Sequence, residues 1–218
     1  MILLLLLVPP AKGDGMGINM IKEKTGEVFS IARENPPITG CTISKEIYGG
    51  KNNVLYFSLT KNTDISAEIY PYHKLLIVSE GSAEVYTADG EAGILKKRDA
   101  ILTPVGVPVG MRTKTSAVYT EITIGKDEKM NEIIKAGEVF NMAELVPYQD
   151  GKIVNMDILH NDNMKLVIMS FDEGTGSAPA PPGGAGAVSV EAVLRRTLGW
   201  GATTRATQIG RASCRERV

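Results

Sequence analysis

The sequence predicts an all-β fold, a sandwich or closed barrel of short strands, on three observations. From Ala67 to Ile124, apolar and polar residues alternate in short runs broken by Gly, Pro and Asp-Gly turns; strands of that length and spacing stack into sandwiches or close into barrels. The segment Gly26–Ala32 (GEVFSIA) returns as Gly137–Ala143 (GEVFNMA), so one unit of structure is used twice. Arg98–Met111 (RDAILTPVGVPVGM) reads as strand, tight Pro/Gly corner, strand.

Taken in order, the elements begin with Ile2–Val8 (ILLLLLV), which is apolar but far short of the roughly 18 residues that a membrane-spanning helix needs. No basic residue precedes it, and Pro9-Pro10-Ala-Lys follows where a secretory leader would carry small residues. Lys12–Gly15 (KGDG) matches a translated ribosome-binding site ahead of Met16 or Met20. Residues 1–19 are therefore expected to be an over-long start, outside the fold. A first domain follows over 20–125, with strands predicted at Ala67–Tyr70, Lys74–Ser79, Ala83–Thr87, Ala100–Thr103, Val107–Met111 and Ala117–Ile124. In Lys126–Lys135 (KDEKMNEIIK), Met130, Ile133 and Ile134 share one helical face, which predicts a helical linker over 126–136.

The second copy of the repeat runs from 137 to 176. Ser44–Ile47 matches Asn155–Ile158 at the same offset as the GEVF segments, and with a one-residue adjustment Ser58 matches Ser170. After Gly176 the alternation stops and Ala, Gly, Pro and Arg take over. Fifteen Lys and three Arg precede that point; no Lys and six Arg follow it. Ile209–Val218 (IGRASCRERV) is similar to a translated sequencing adapter, so 177–218 is expected to be an out-of-frame, adapter-derived tail. A second copy that holds only its opening strands is expected to leave its sheet edges unpaired and prone to association.

With 43% hydrophobic and 22% charged residues and a formal net charge of -1, the chain suits a soluble domain and has no electrostatic footprint for nucleic acid or an anionic membrane. The two cysteines, Cys41 and Cys214, fall in segments assigned to different units. A free thiol is therefore expected, which points to a reducing, cytoplasmic setting. Cys41 has no histidine partner visible in sequence, and packing is its expected role.

The Arg98–Met111 stretch resembles the second motif of the cupin superfamily, in which a glycine leads to Pro-x-Gly and then a histidine. Pro104-Val-Gly106 supplies the Pro-x-Gly, Arg98 stands at the leading glycine place and Val109 at the histidine place. The first cupin motif, His-x-His, then Glu, then Gly, fits Glu68-Ile-Tyr70 followed by Lys74 and Gly81. The resemblance implies a cupin jelly-roll barrel, or double-stranded β-helix, with a partial second repeat; the whole looks like a bicupin. In metal-bearing cupins the four motif places converge on a divalent ion. Here they hold Glu68, Tyr70, Lys74 and Val109, a poor donor set for such an ion, so no metal or other cofactor is expected in the first domain. If Lys74 faces inward, His73 faces out, as an exposed turn residue.

The expected function is a non-catalytic module that binds a small organic molecule or supports oligomerisation, with a homodimer as the implied assembly. The alternative is a fragment of a metal-dependent bicupin enzyme, dioxygenase-like or isomerase-like, whose active site lies in the missing part of the second barrel. No catalytic residue is assigned. Glu68, Tyr70, Lys74, Tyr86 and Val109 are the candidate pocket residues. Glu68 and Lys74 either pair across neighbouring strands or stand as solvated charges at the barrel mouth; Tyr70, Tyr72 and Tyr86 either line a pocket or pack. The corner itself is expected to turn the chain and do no chemistry.

Overall fold

The computed structural model describes residues 30–172 except 50, 89 and 163, together with the strand backbones 2–7 and 187–190. Its elements are β1 (Ile2–Leu7), a short helix α1 (Ile31–Glu34), β2 (Thr42–Tyr48), β3 (Val54–Leu59), β4 (Thr63–Glu68), β5 (His73–Thr87), β6 (Gly90–Lys96), β7 (Asp99–Leu102), β8 (Val109–Thr113), β9 (Ala117–Ile124), β10 (Val139–Asn141), β11 (Ile153–His160), β12 (Lys165–Phe171) and β13 (Ala187–Val190). All strand pairings between these elements are antiparallel.

A large sheet has the order β10-β7-β5-β9-β3-β2, and a smaller one joins β4 to β8, β8 to β5 and β5 to β6. Strand β5 belongs to both. Its first half pairs with β9 and β7, and from Ser82 onward it pairs with β6 and β8. The two runs predicted at Lys74–Ser79 and Ala83–Thr87 are thus one bent strand. The bend falls at Gly81, whose φ of +74° favours glycine, and the register against β9 shifts between Val78 and Glu80. A Cβ at Gly81 would overlap the Ser116 carbonyl, so close backbone approach demands glycine as well.

Alternation along β5 divides two cores. Leu76, Val78, Ala83 and Val85 point between the two sheets, where they meet Leu59, Leu95, Ile101, Met111 and Tyr119. Leu75 and Ile77 point the other way, into a second core shared with Ile158, Leu159, Leu166 and Ile168 of the β11–β12 hairpin. The large sheet is therefore apolar on both faces because each face is covered.

The repeat seen in the sequence recurs as geometry. The β2–β3 register shifts between Glu46 and Tyr48, and the β11–β12 register shifts between Asp157 and Leu159, so Ile47 and Ile158 occupy equivalent bulges and both are buried. Ser58 Oγ donates to the carbonyl of Asn35 and Ser170 Oγ to that of Pro147, each across 23 residues. Ser30 Oγ and Asn141 Oδ1 each accept a backbone N–H just downstream, from Arg33 and Ala143.

Four expectations differ from the structure. Residues 126–136 form turns and two isolated bridges, Met130 with Leu159 and Leu102 with Ala136, and no helix. A helix of about ten residues is marginal in isolation. Here Asn131 donates to the Asp157 carbonyl and accepts from Ile133 N, while Ile134 is buried and Ile133 exposed, which divides the apolar face on which the helix depended. The backbone of Ile2–Leu7, expected outside the fold, is a strand that pairs with β12 and in turn with β13. That pairing satisfies the β12 edge expected to be bare. Cys41, expected to carry a free thiol, is disulfide-bonded; of the tail expected at 177–218 only the backbone of Ala187–Val190 is described, as β13, and the rest, Cys214 included, lies outside the described residues. Among the described residues no helix is long and apolar enough to cross a membrane.

Candidate functional site

Between the two sheets lies a cavity of about 40 Å³, room for about three water molecules. Strand β4 brings Glu68 to it, the following segment Tyr70, the start of β5 Lys74, the Pro/Gly corner Pro104 and Val107, the start of β8 Val109, and β9 Tyr119 and Glu121. Four of the five sequence-predicted residues therefore converge here: Glu68, Tyr70, Lys74 and Val109. Glu68 and Val109 are direct neighbours across the β4–β8 pairing.

Tyr86 is the exception. It is opposite Gly110 in the β5–β8 register, and a Cβ on Gly110 would strike its ring. Its hydroxyl donates to the Ile65 carbonyl at 3.2 Å, and the Arg112 guanidinium sits 5.0 Å from its ring centre. It shares a sheet face with Glu84, which is bonded to Arg112, while Ala83 and Val85 fill the interior. A pleat sends alternate residues to opposite faces, so Tyr86 packs on the outside and does not line the cavity.

The charges pair differently from either reading of Glu68 and Lys74. The Lys74 ammonium is 2.9 Å from Glu121 Oε1, and only 15% and 11% of the two side chains is exposed. The same ammonium stands 3.6 Å from the centre of the Tyr70 ring, well within cation–π range. Tyr70 in turn donates its hydroxyl to Glu68. The result is a chain of contacts, Glu121 to Lys74 to Tyr70 to Glu68. Burial, then the bond to Glu68 and the nearby Glu121 charge, push the Tyr70 phenol far above the usual tyrosine value. Burial raises Tyr119 as well, with the Glu121 charge next, and the same causes raise Tyr72. These phenols stay protonated through the usual tyrosine range, and Tyr70 donates to Glu68.

Thr103 holds the lysine in place: its hydroxyl accepts from Lys74 N at 2.8 Å, and its own N–H donates to the Lys74 carbonyl at 2.9 Å. His73 faces away from the cavity, as alternation required. It is half-buried, not an exposed turn residue, because its Nδ1 lies 2.6 Å from the Thr103 carbonyl. The corner is tied to the cavity wall at Gly106, whose N–H donates to the Tyr70 carbonyl at 3.0 Å. At the other end of the motif, Arg98 has a φ of +79°, the left-handed conformation that a glycine at that place would adopt without strain.

Sequence reasoning missed Glu121 and Tyr119. The available signal was a single charged residue in the otherwise uncharged strand Ala117–Ile124 (AVYTEITI), two places from a tyrosine and therefore on the same face.

A divalent ion does not fit this donor set. Its carboxylates are Glu68 and Glu121, one of which already holds an ammonium, its phenols are protonated, and no histidine points in. Among the described residues no group of three or more His, Cys, Asp and Glu side chains gathers anywhere.

No family model and no curated protein matches this chain. Among solved structures it is similar to a cupin 2 conserved barrel domain protein from Leptotrichia buccalis, 22% identical over 70% of this chain and 68% of that one, with a TM-score of 0.60. It also matches a conserved protein of unknown function from Streptococcus pyogenes, 16% identical over 52% and 99% of the two chains at a TM-score of 0.46. A third match is a cupin superfamily protein from Desulfitobacterium hafniense, 15% identical over 50% and 100% at 0.46. The fold expected from the two motifs, an all-β cupin barrel, is the fold of this chain.

Proposed function

We propose that this chain is a metal-free, non-catalytic cupin-fold module whose first barrel binds a small organic molecule. The supporting observation is the position of Lys74, whose ammonium sits inside the barrel on Glu121 and against the Tyr70 ring. It stands at a place where the cupin resemblance would have a metal ligand. A divalent ion entering here would meet a fixed positive charge and at most two carboxylates, whereas stable sites in this affinity class use three or more well-placed lone-pair donors. The cavity also lacks a nucleophile with an adjacent base: Ser66 lies at its rim, while His73 is turned away and bonded to Thr103. A homodimer joined through outer strands, and a bicupin parentage for the repeated hairpin, belong to the same reading.

Elemental analysis of the purified full chain tests it. Fe, Mn, Zn and Ni are expected far below one equivalent, before and after incubation with each ion and desalting. A full equivalent of any of them, retained by the native chain and lost on Glu121→Gln, overturns the reading.

A further inference from the structure

We infer that the guest of this barrel is a small organic cation, an ammonium or amidinium of about three or four non-hydrogen atoms, held by Glu121, Glu68 and Tyr119 beside Lys74. The inference rests on the reading above that the barrel takes an organic guest, and it adds the chemical class.

Three observations carry it. The first is charge. The ionisable side chains that line the cavity with a formal charge are Glu68, Glu121 and Lys74, which leaves the lining one negative charge in excess. A cation brings that sum to zero and an anion doubles it; the effect is strongest at the largely buried Glu121 and Lys74, while Glu68 stands on the exposed side of the cavity. The second is spare acceptor capacity. A carboxylate offers about four lone-pair sites, yet among the described residues Glu121 is engaged by Lys74 at Oε1 alone and Glu68 by Tyr70 at Oε2 alone. The third is Tyr119. Only 2% of it is exposed, it lines the cavity, and its ring is stacked on Phe57 at 5.0 Å. Among the described residues its hydroxyl makes no hydrogen bond, and it is not one of the fully buried polar atoms without a partner, so it opens onto the cavity. A protonated phenol in that position can donate to or accept from a polar group that enters.

Size narrows the class further. Pockets for drug-sized ligands measure roughly 300–1,000 Å³, and this cavity is about 40 Å³. Only a compact group fits, its N–H donors toward the carboxylates and its carbons toward Leu76, Val109 and Met111.

The test is thermal unfolding of the full chain titrated with ethylammonium chloride, against sodium chloride at equal ionic strength, sodium acetate and neutral acetamide. A saturable rise in midpoint is expected with ethylammonium alone. Glu121→Gln should weaken the apparent affinity about tenfold or more, because it removes a charge-assisted contact. Tyr119→Phe keeps the ring and its stack, so it should fold normally and weaken binding about fivefold; it decides the matter if Glu121→Gln fails to fold. A saturable response to acetate or acetamide with none to ethylammonium overturns this inference and leaves the organic-guest reading standing. No saturable response to ethylammonium, or one unchanged in Tyr119→Phe, also overturns it. Stoichiometric metal retention overturns the underlying reading instead.

Discussion

Replacing Lys74 by methionine keeps much of the side chain's length and removes its charge, leaving the Glu121 carboxylate inside the barrel without its ion-pair partner. The two charged atoms are 2.9 Å apart, so at an effective dielectric constant near 20 their attraction is about 6 kcal/mol before desolvation is subtracted. Breaking a buried pair by removing one partner costs about 3–5 kcal/mol, and loss of the ammonium from the Tyr70 face adds about 1 kcal/mol. With both side chains still slightly exposed, about 3 kcal/mol is the expected loss, read from urea unfolding by circular dichroism. The double variant Lys74→Met with Glu121→Leu removes both charges and should recover most of the loss, since apolar replacements of buried pairs are often neutral or stabilising. A single variant within about 0.5 kcal/mol of the parent would show that the pair is solvated and refute the reasoning.

Three further outcomes follow from the same geometry. Gly81→Ala should cost about 3 kcal/mol or more in urea unfolding, since it adds left-handed strain to a collision with the Ser116 backbone, whereas Gly106→Ala meets no neighbour and should cost about 1–2 kcal/mol from conformation alone. Arg98→Gly should stabilise the fold by about 0.5–1 kcal/mol, the left-handed penalty less the greater chain entropy of glycine; a loss there would mean that the arginine side chain does more than fill a turn. Tyr48, Tyr70, Tyr72 and Tyr119 all have phenols raised by burial. Their contribution is therefore complete below pH 10 and lost as pH climbs above it, so tyrosinate absorbance from these residues should emerge together with alkaline unfolding, not ahead of it.

The barrel was legible in the sequence because its strands obey period two and its corners carry Pro and Gly at the places where the chain turns. The four motif positions converge on one cavity as the spacing implied, since that spacing fixes where the chain leaves one strand and enters the next. What escaped was set by contacts between strands distant in sequence. Tyr86 was a pocket candidate with packing as the alternative, and a parity that the β5–β8 register fixes gives it the packing role. A Lys74–Glu68 pair was one of two readings, drawn from their two motif places on neighbouring strands, while β9 brings Glu121 onto the ammonium. The helix expected at 126–136 failed for the same reason: its apolar face was real as a pattern, but Asn131 and Ile134 found partners in β11 and the second core that no local periodicity encodes.

A positive charge carried on a side chain differs from a bound ion in one respect: it is tethered covalently, so dilution and chelators do not carry it away. The Lys74 ammonium on Glu121 is therefore as permanent a part of this barrel as its strands, and any guest is met by a polarity written into the polypeptide at Lys74 and Glu121.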